Sequence, residues 1–241
     1  MRNKILIITA VWKRHDLTDI VLSYYGRISA ASKGKISLLA VGSEGNLSKN
    51  ICKRNGWAYI ERPNYPVSHK WASLVEEAKN MNFDFLIIVG SDNLLSLSLI
   101  QYYDRIYCKD SDYMLGLKDL YFYMIVNHKS YHFKGYESMT SIGAGRCMSR
   151  RVLEKCNWKP WSTYSINRGL DSRCSSHINR CGIREIGVEM KSIMGIGIDI
   201  KHPEIHITDK LIVIRNSKES VNILQKNFPE QYARINSIFA K

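Results

Sequence analysis

The chain has 241 residues, 45% of them hydrophobic and 24% charged. That balance excludes wholesale disorder and suits one large α/β domain or two small ones. Its 35 Lys and Arg against 22 Asp and Glu leave a formal net charge of +13, which favours contact with polyanions such as nucleic acid, an anionic membrane surface or a phosphorylated substrate.

Residues 4–9 (KILIIT) form a continuous apolar run that predicts a buried parallel strand. Lys13, Arg14, His15 and Asp16 cut that stretch too short for a secretory signal, and no apolar run reaches the roughly 18 residues of a membrane span. A cytoplasmic chain is therefore expected. A helix over 16–25 follows, with Leu17, Ile20, Val21 and Tyr24 at helical spacing. Strands are predicted over 36–41 (ISLLAV), 57–61 and 83–89 (FDFLIIV), with helices over 47–54, 68–80 and 97–107 between and after them. The helix over 47–54 should stop at Asn55-Gly56. Alternating strands and helices with short connections imply a doubly wound, mostly parallel sheet, whose ligands bind beyond the carboxyl ends of the strands. The second half is less regular. It reads as a strand over 113–117, a hairpin over 121–126 and 130–134, helices over 149–155 and 170–180, strands over 192–200 and 205–208, and helices over 221–228 and 231–239. No linker, repeat or low-complexity tract interrupts the chain, so a single domain is expected, with a ligand-binding half over 1–107 and a second lobe over 108–241. The six cysteines, Cys52, Cys108, Cys147, Cys156, Cys174 and Cys181, form no C-x-x-C pair and are expected as reduced thiols.

Five segments carry candidate chemistry. Gly90-Ser91-Asp92-Asn93 ends a predicted strand. One or two carboxylates there suffice to hold Mn or Mg beside a diphosphate, and the same residues also suit an Asx turn capping the next helix. Glu44, in the Gly42-Ser43-Glu44-Gly45 turn, can accept hydrogen bonds from a base or ribose, or simply belong to a glycine-rich turn. Gly143, Ala144 and Gly145 permit close backbone approach, with Arg146, Arg150 and Arg151 alongside for phosphate. Asp171 falls in the first turn of a helix, either as a dipole partner or as a general base. Asp199, His202 and His206 lie near the C-terminal strands, where a His can complete a metal site with Asp92.

In this order the segments resemble the GT-A glycosyltransferases of the family 2 type over roughly residues 4–206. The resemblance implies an α/β, Rossmann-like GT-A sheet with a C-terminal acceptor lobe. It implies donor contacts at Thr9, Ala10, Val11, Arg14, Glu44, Lys70, Ser91, Asp92 and Arg146, a divalent metal (Mn or Mg) on Asp92, Asn93 and His202, and a nucleotide-sugar donor such as a UDP-sugar. Asp171 would be the base of an inverting transfer. Asp119, Tyr121, Gly143, Ala144, Gly145, Trp161 and Arg168 would meet the acceptor, the aromatic rings by stacking or else as core. The D-x-D motif of that family has Gly90 in place of its first Asp, and Gly-Ser-Glu replaces its usual Asp-Gly-Ser. The segments GLKDLYFY, GAGRCMSRR and NRGLD also look like those of short bacteriophage glycosyltransferases. With the positive charge, that likeness makes DNA carrying hydroxymethylated bases a candidate acceptor. A surface saccharide or lipid carrier as acceptor, and a binding protein that has lost the chemistry, are the rival readings.

Overall fold

The structure is a computed structural model and describes residues 1–161, 165–204, 217–220 and 222–239. Its elements are β1 (Ile5–Ala10), α1 (His15–Ala31), β2 (Ile36–Gly42), α2 (Asn46–Arg54), β3 (Ala58–Glu61), α3 (Val67–Ala78), β4 (Phe85–Ile88), β5 (Asn93–Leu95) and α4 (Leu97–Ile106), then β6 (Tyr113–Leu117), β7 (Leu120–Met124), β8 (Lys129–Phe133), β9 (Cys147–Ser149), α5 (Arg150–Lys155) and α6 (Leu170–Arg180). The chain continues through β10 (Arg184–Val188), α7 (Met190–Ile193), β11 (Gly197–Lys201), β12 (Ser217–Ser220), α8 (Ile223–Asn227) and α9 (Pro229–Phe239).

A seven-stranded sheet runs in the order β10-β6-β9-β4-β1-β2-β3. β1 pairs in parallel with β2 and β4, β2 with β3, and β6 with β10, while β9 lies antiparallel between β4 and β6. The apolar run of β1 is explained by cover on both faces. Ile5 and Ile7 pack among residues of α1 and α4, and Leu6 and Ile8 pack among residues of α3, α5 and α6.

A second sheet runs β12-β8-β7-β11-β5, with β7 and β11 parallel and the other pairs antiparallel. Leu120, Phe122 and Met124 of β7 share a small core with Tyr131, Phe133 and Ile142, whereas Tyr123 faces the large core with Ile198 and Ile200 of β11. The two faces of this sheet therefore look into different surroundings.

Several expectations are corrected in detail. The strand predicted over 192–200 is divided between α7 and β11, because Met194 turns the chain in a left-handed conformation (φ 50°). The sequence reading missed β5, β9, β10 and β12. The helix after residue 96 is capped by Ser96, whose Oγ accepts from the Leu99 amide, so Asp92 and Asn93 do not cap it. All six cysteines are free thiols. His206 and the strand predicted over 205–208 lie outside the described residues, as does the first residue of the helix predicted over 221–228. Among the described residues, no helix is long and apolar enough to cross a membrane.

Candidate active site

The polar loops after β1, β2 and β4 gather at one edge of the large sheet, as its parallel order requires. Two residues in succession, Lys13 and Arg14, hold left-handed backbone (φ 54° and 49°) ahead of α1. That turn carries the Arg14 guanidinium to Asp92, with which it is ion-paired, and to Ser91, whose Oγ accepts from Nη2 at 3.3 Å. Both paired side chains are nearly buried. Glu44 steadies the same turn: its Oε2 accepts from the Lys13 amide at 2.8 Å, faces His15 Nε2 at 3.0 Å and accepts from Ser48 Oγ at 3.3 Å.

Lys70 ties three loops together. Its ammonium donates to the Val11 carbonyl at 2.6 Å, to Ser43 Oγ at 3.0 Å and to Asn64 Oδ1 at 3.0 Å, which uses its three N–H donors. Burial pushes this lysine down to about 8, with Glu44 opposing.

Register brings β11 to the same place. Asp199 stands opposite Asn93 of β5, and its carboxylate accepts from Lys201 Nζ at 2.7 Å. Asp199 and Lys201 are two residues apart on one strand, so they point to the same face. The Lys201 ammonium also sits 4.6 Å from the Phe122 ring centre. Burial pushes Asp199 up to about 6; Lys201 opposes that shift, and the negative charge of Asp92 adds to it. Arg14 Nε and Asp199 Oδ1 are both buried without a hydrogen-bond partner. The site thus holds two carboxylates and two cations, Asp92 with Arg14 and Asp199 with Lys201.

On the second lobe, Asp171 occupies the first turn of α6. Gly143 lets the Asp171 carboxylate lie against the backbone: a Cβ on it would come 2.1 Å from Asp171 Oδ1 and would have to push that carboxylate aside. No described residue hydrogen-bonds to the Asp171 carboxylate. Tyr136, half-exposed and packed edge-on against Phe133, feels both this carboxylate and the β11 pair. Burial raises the Tyr136 hydroxyl pKa, Asp171 and Asp199 add to the rise, and Lys201 opposes it.

The expected metal ligands do not converge. Asn93 is buried, its Oδ1 taken by the Gly90 amide at 2.7 Å and its Nδ2 given to Asp92 Oδ1 at 3.2 Å. His202 Nδ1 accepts from the Glu204 amide at 3.1 Å, and its ring meets Phe239 edge-on. A Cβ at Gly90 would lie 2.6 Å from Asp92 Oδ1 and 2.7 Å from Asn93 Oδ1, so a side chain there would have to push these two aside. Among the described residues, no group of three or more His, Cys, Asp or Glu is placed to hold a metal. Asp92 and Asp199 are each already ion-paired, so this donor set does not fit a divalent cation.

Other predicted contacts also fall elsewhere. Arg146 is 1% exposed and donates to Ser141, the Asp171 carbonyl and Ser175, with Glu185 as its ion pair. It is a clamp inside the protein, not a phosphate ligand. Trp161 is buried in the core against Trp71 (centroids 5.7 Å) and offers no face for stacking. Thr9 and Val11 are fully buried, and Ala10, at the end of β1, is half-buried. Asp119 and Tyr121 line a cavity of about 380 Å³ with His132 and Lys191. Asp119 Oδ2 meets His132 Nε2 at 2.7 Å, and its Oδ1 accepts from the Met190 amide at 2.8 Å. Tyr121 and Asp199 sit at adjacent registers of paired strands, hence on opposite faces of the small sheet. Gly145 packs on Leu95 and Leu117, Ala144 packs against the small core, and Arg168 is exposed just ahead of α6.

No protein-family model matches the sequence, and no curated protein matches it. Solved structures do share its fold. GalNAc-T7 with UDP, GalNAc and Mn2+ superposes with a TM-score of 0.57 at 10% identity, over 84% of this chain and 44% of that one. This chain thus spans less than half the length of that relative. A mannosyltransferase from Pyrobaculum calidifontis in complex with GDP-Man and Mn2+ gives 0.53 at 12% identity, over 98% of this chain and 70% of that one. The inositol-1-phosphate CTP transferase from T. maritima gives 0.54 at 11% identity, over 98% and 97%. The fold is therefore the GT-A type, a mostly parallel Rossmann-like sheet that glycosyltransferases and nucleotidyltransferases share.

Proposed function

We propose that the protein is a glycosyltransferase that moves a sugar from a nucleotide-sugar donor to an acceptor hydroxyl. The observation that supports this most is Asp171, a carboxylate in the first turn of α6 with no hydrogen-bond partner among the described residues, held against Gly143. In this reading the donor lies along the loops after β1, β2 and β4. Asp171 takes the proton from the acceptor hydroxyl, the oxygen attacks the anomeric carbon, and the nucleoside diphosphate departs on the opposite side. Displacement of that kind inverts the anomeric centre. The divalent metal expected from the resemblance has no fitting ligand set among the described residues.

The test is turnover of a panel of nucleotide sugars, read as nucleoside diphosphate released, for the wild type and Asp171→Asn. General-base catalysis is worth about 10²–10⁴-fold, so the variant should lose at least about a hundredfold in kcat while still binding donor. Full turnover by the variant would remove Asp171 from the role. Near-full-length likeness to a CTP transferase favours a second reading, nucleotidyl transfer; with CTP and a sugar or inositol phosphate, that activity would release pyrophosphate instead. The net charge of +13 is the ground for including hydroxymethylated duplex DNA, as found in bacteriophages, in the acceptor panel beside saccharides and lipid carriers.

A further inference from the structure

We infer that this protein carries its own replacement for the divalent cation: Arg14, oriented by Asp92, meets the donor's diphosphate, while Lys201 cancels the charge of Asp199. This rests on the glycosyltransferase reading of the same site. An acidic strand end repels a diphosphate unless something positive stands between them. Here that positive charge is built in. Arg14 is ion-paired with Asp92 and Lys201 with Asp199, so two carboxylates face two cations and the cluster is formally neutral.

The placement of the two cations is fixed rather than incidental. Arg14 sits at the second of two left-handed residues, in a turn braced by Glu44. Its Nε is buried with no partner, a donor that a phosphate oxygen would satisfy. Lys201 lies on β11, with its ammonium over the Phe122 ring and against Asp199. A second positive centre between these carboxylates would have to displace Arg14 or Lys201. Position 90 offers no carboxylate of its own, so Asp92 stands without the first acidic residue of the motif.

The experiment is calorimetric binding of UDP, GDP and CDP to the full chain, in EDTA and in excess Mn2+, with paramagnetic resonance of Mn2+ as a second readout. The wild type should bind one of these nucleotides equally well in both buffers, and the protein should not immobilise Mn2+ beyond what the nucleotide alone does. Arg14→Met should weaken binding in EDTA roughly ten- to hundredfold, the value of a lost charge-assisted hydrogen bond, and Mn2+ should recover part of it. Lys201→Met leaves the Asp199 carboxylate without its ammonium beside the diphosphate and should also weaken binding in EDTA; binding unchanged by this substitution would overturn the role given to Lys201. Arg14→Gln, checked for folding by its melting curve, serves if Arg14→Met does not fold.

Binding by the wild type only with Mn2+ would overturn this inference and leave the glycosyltransferase reading standing. Unchanged binding by Arg14→Met in EDTA would also overturn it. Absence of nucleotide binding in either buffer would overturn the donor reading and this inference with it.

Discussion

Replacing Arg146 with methionine should destabilise this protein strongly, because the buried guanidinium is the hub of a polar network. Its Nε donates to Ser141 Oγ at 3.1 Å and its Nη1 to the Asp171 carbonyl at 2.8 Å. Its Nη2 reaches the Ser141 carbonyl at 2.9 Å and Ser175 Oγ at 2.8 Å. Glu185, its ion-pair partner at 3.4 Å, has a side chain only 2% exposed. Methionine fills the volume but leaves Glu185 charged and buried with Ser141 Oγ as its remaining partner. Breaking a buried pair in this way costs about 3–5 kcal/mol. For a chain of this size that lowers Tm by roughly 10 °C. Urea unfolding followed by circular dichroism measures the cost, and Arg146→Met/Glu185→Gln should recover part of it. A loss below about 1 kcal/mol, or a double variant no more stable than the single one, would refute the network as described.

Gly143→Ala should reduce turnover with little change in melting temperature, since the added Cβ lands 2.1 Å from Asp171 Oδ1 and must move that carboxylate; kinetics beside a thermal melt would separate the two effects. Lys70 supplies the pH dependence. Its folded pKa, about 8, lies below the ordinary lysine value of 10.5, so the unfolded chain binds the extra proton between those values and stability rises with pH across that window. Lys70→Met should lose this rise when unfolding is measured from pH 7 to 11, and should also loosen the Val11, Ser43 and Asn64 loops enough to weaken donor binding. Asp119→Ala should cost about 1–3 kcal/mol, because the Met190 amide loses its acceptor. Donor binding should stay unchanged, because Asp119 lines the cavity beside Tyr121, on the face of the small sheet away from Asp199; a large loss of donor affinity would place that cavity in the donor site. Trp161→Ala should cost about 3–5 kcal/mol in urea unfolding, as for a large core side chain.

The parallel half was readable because its strands are apolar throughout: β1, β2 and β4 announce themselves as buried runs, and the helices between them show helical spacing. β9 escaped notice because three residues are too few for any periodicity and it leads directly into the charged start of α5. β10 escaped because Arg184-Glu-Ile-Gly-Val, at the sheet edge, reads as polar as it does apolar. The site was half legible. Asp92 at a strand end and Asp171 in a first turn were both visible as residues with a position. The partners that give them meaning were not, because Arg14 reaches Asp92 across 78 residues of sequence, and Lys201 matters only once β11 is laid beside β5. Arg146 was misread as a phosphate ligand because a sequence does not reveal which cations are buried.

The antiparallel β9 also dictates the order in which the molecule can be completed. β1, β2, β3 and β4 can pair as soon as residues 5–88 exist, but β4 then presents Phe85–Ile88, entirely apolar, as an open edge. That edge stays uncovered until residues 147–149 arrive, some sixty positions later, and the delay exposes the growing chain to strand addition by another copy. The strand that finally seals the edge follows one residue after the Gly143–Gly145 turn, so the wall against Asp171 is anchored to the strand that closes the sheet.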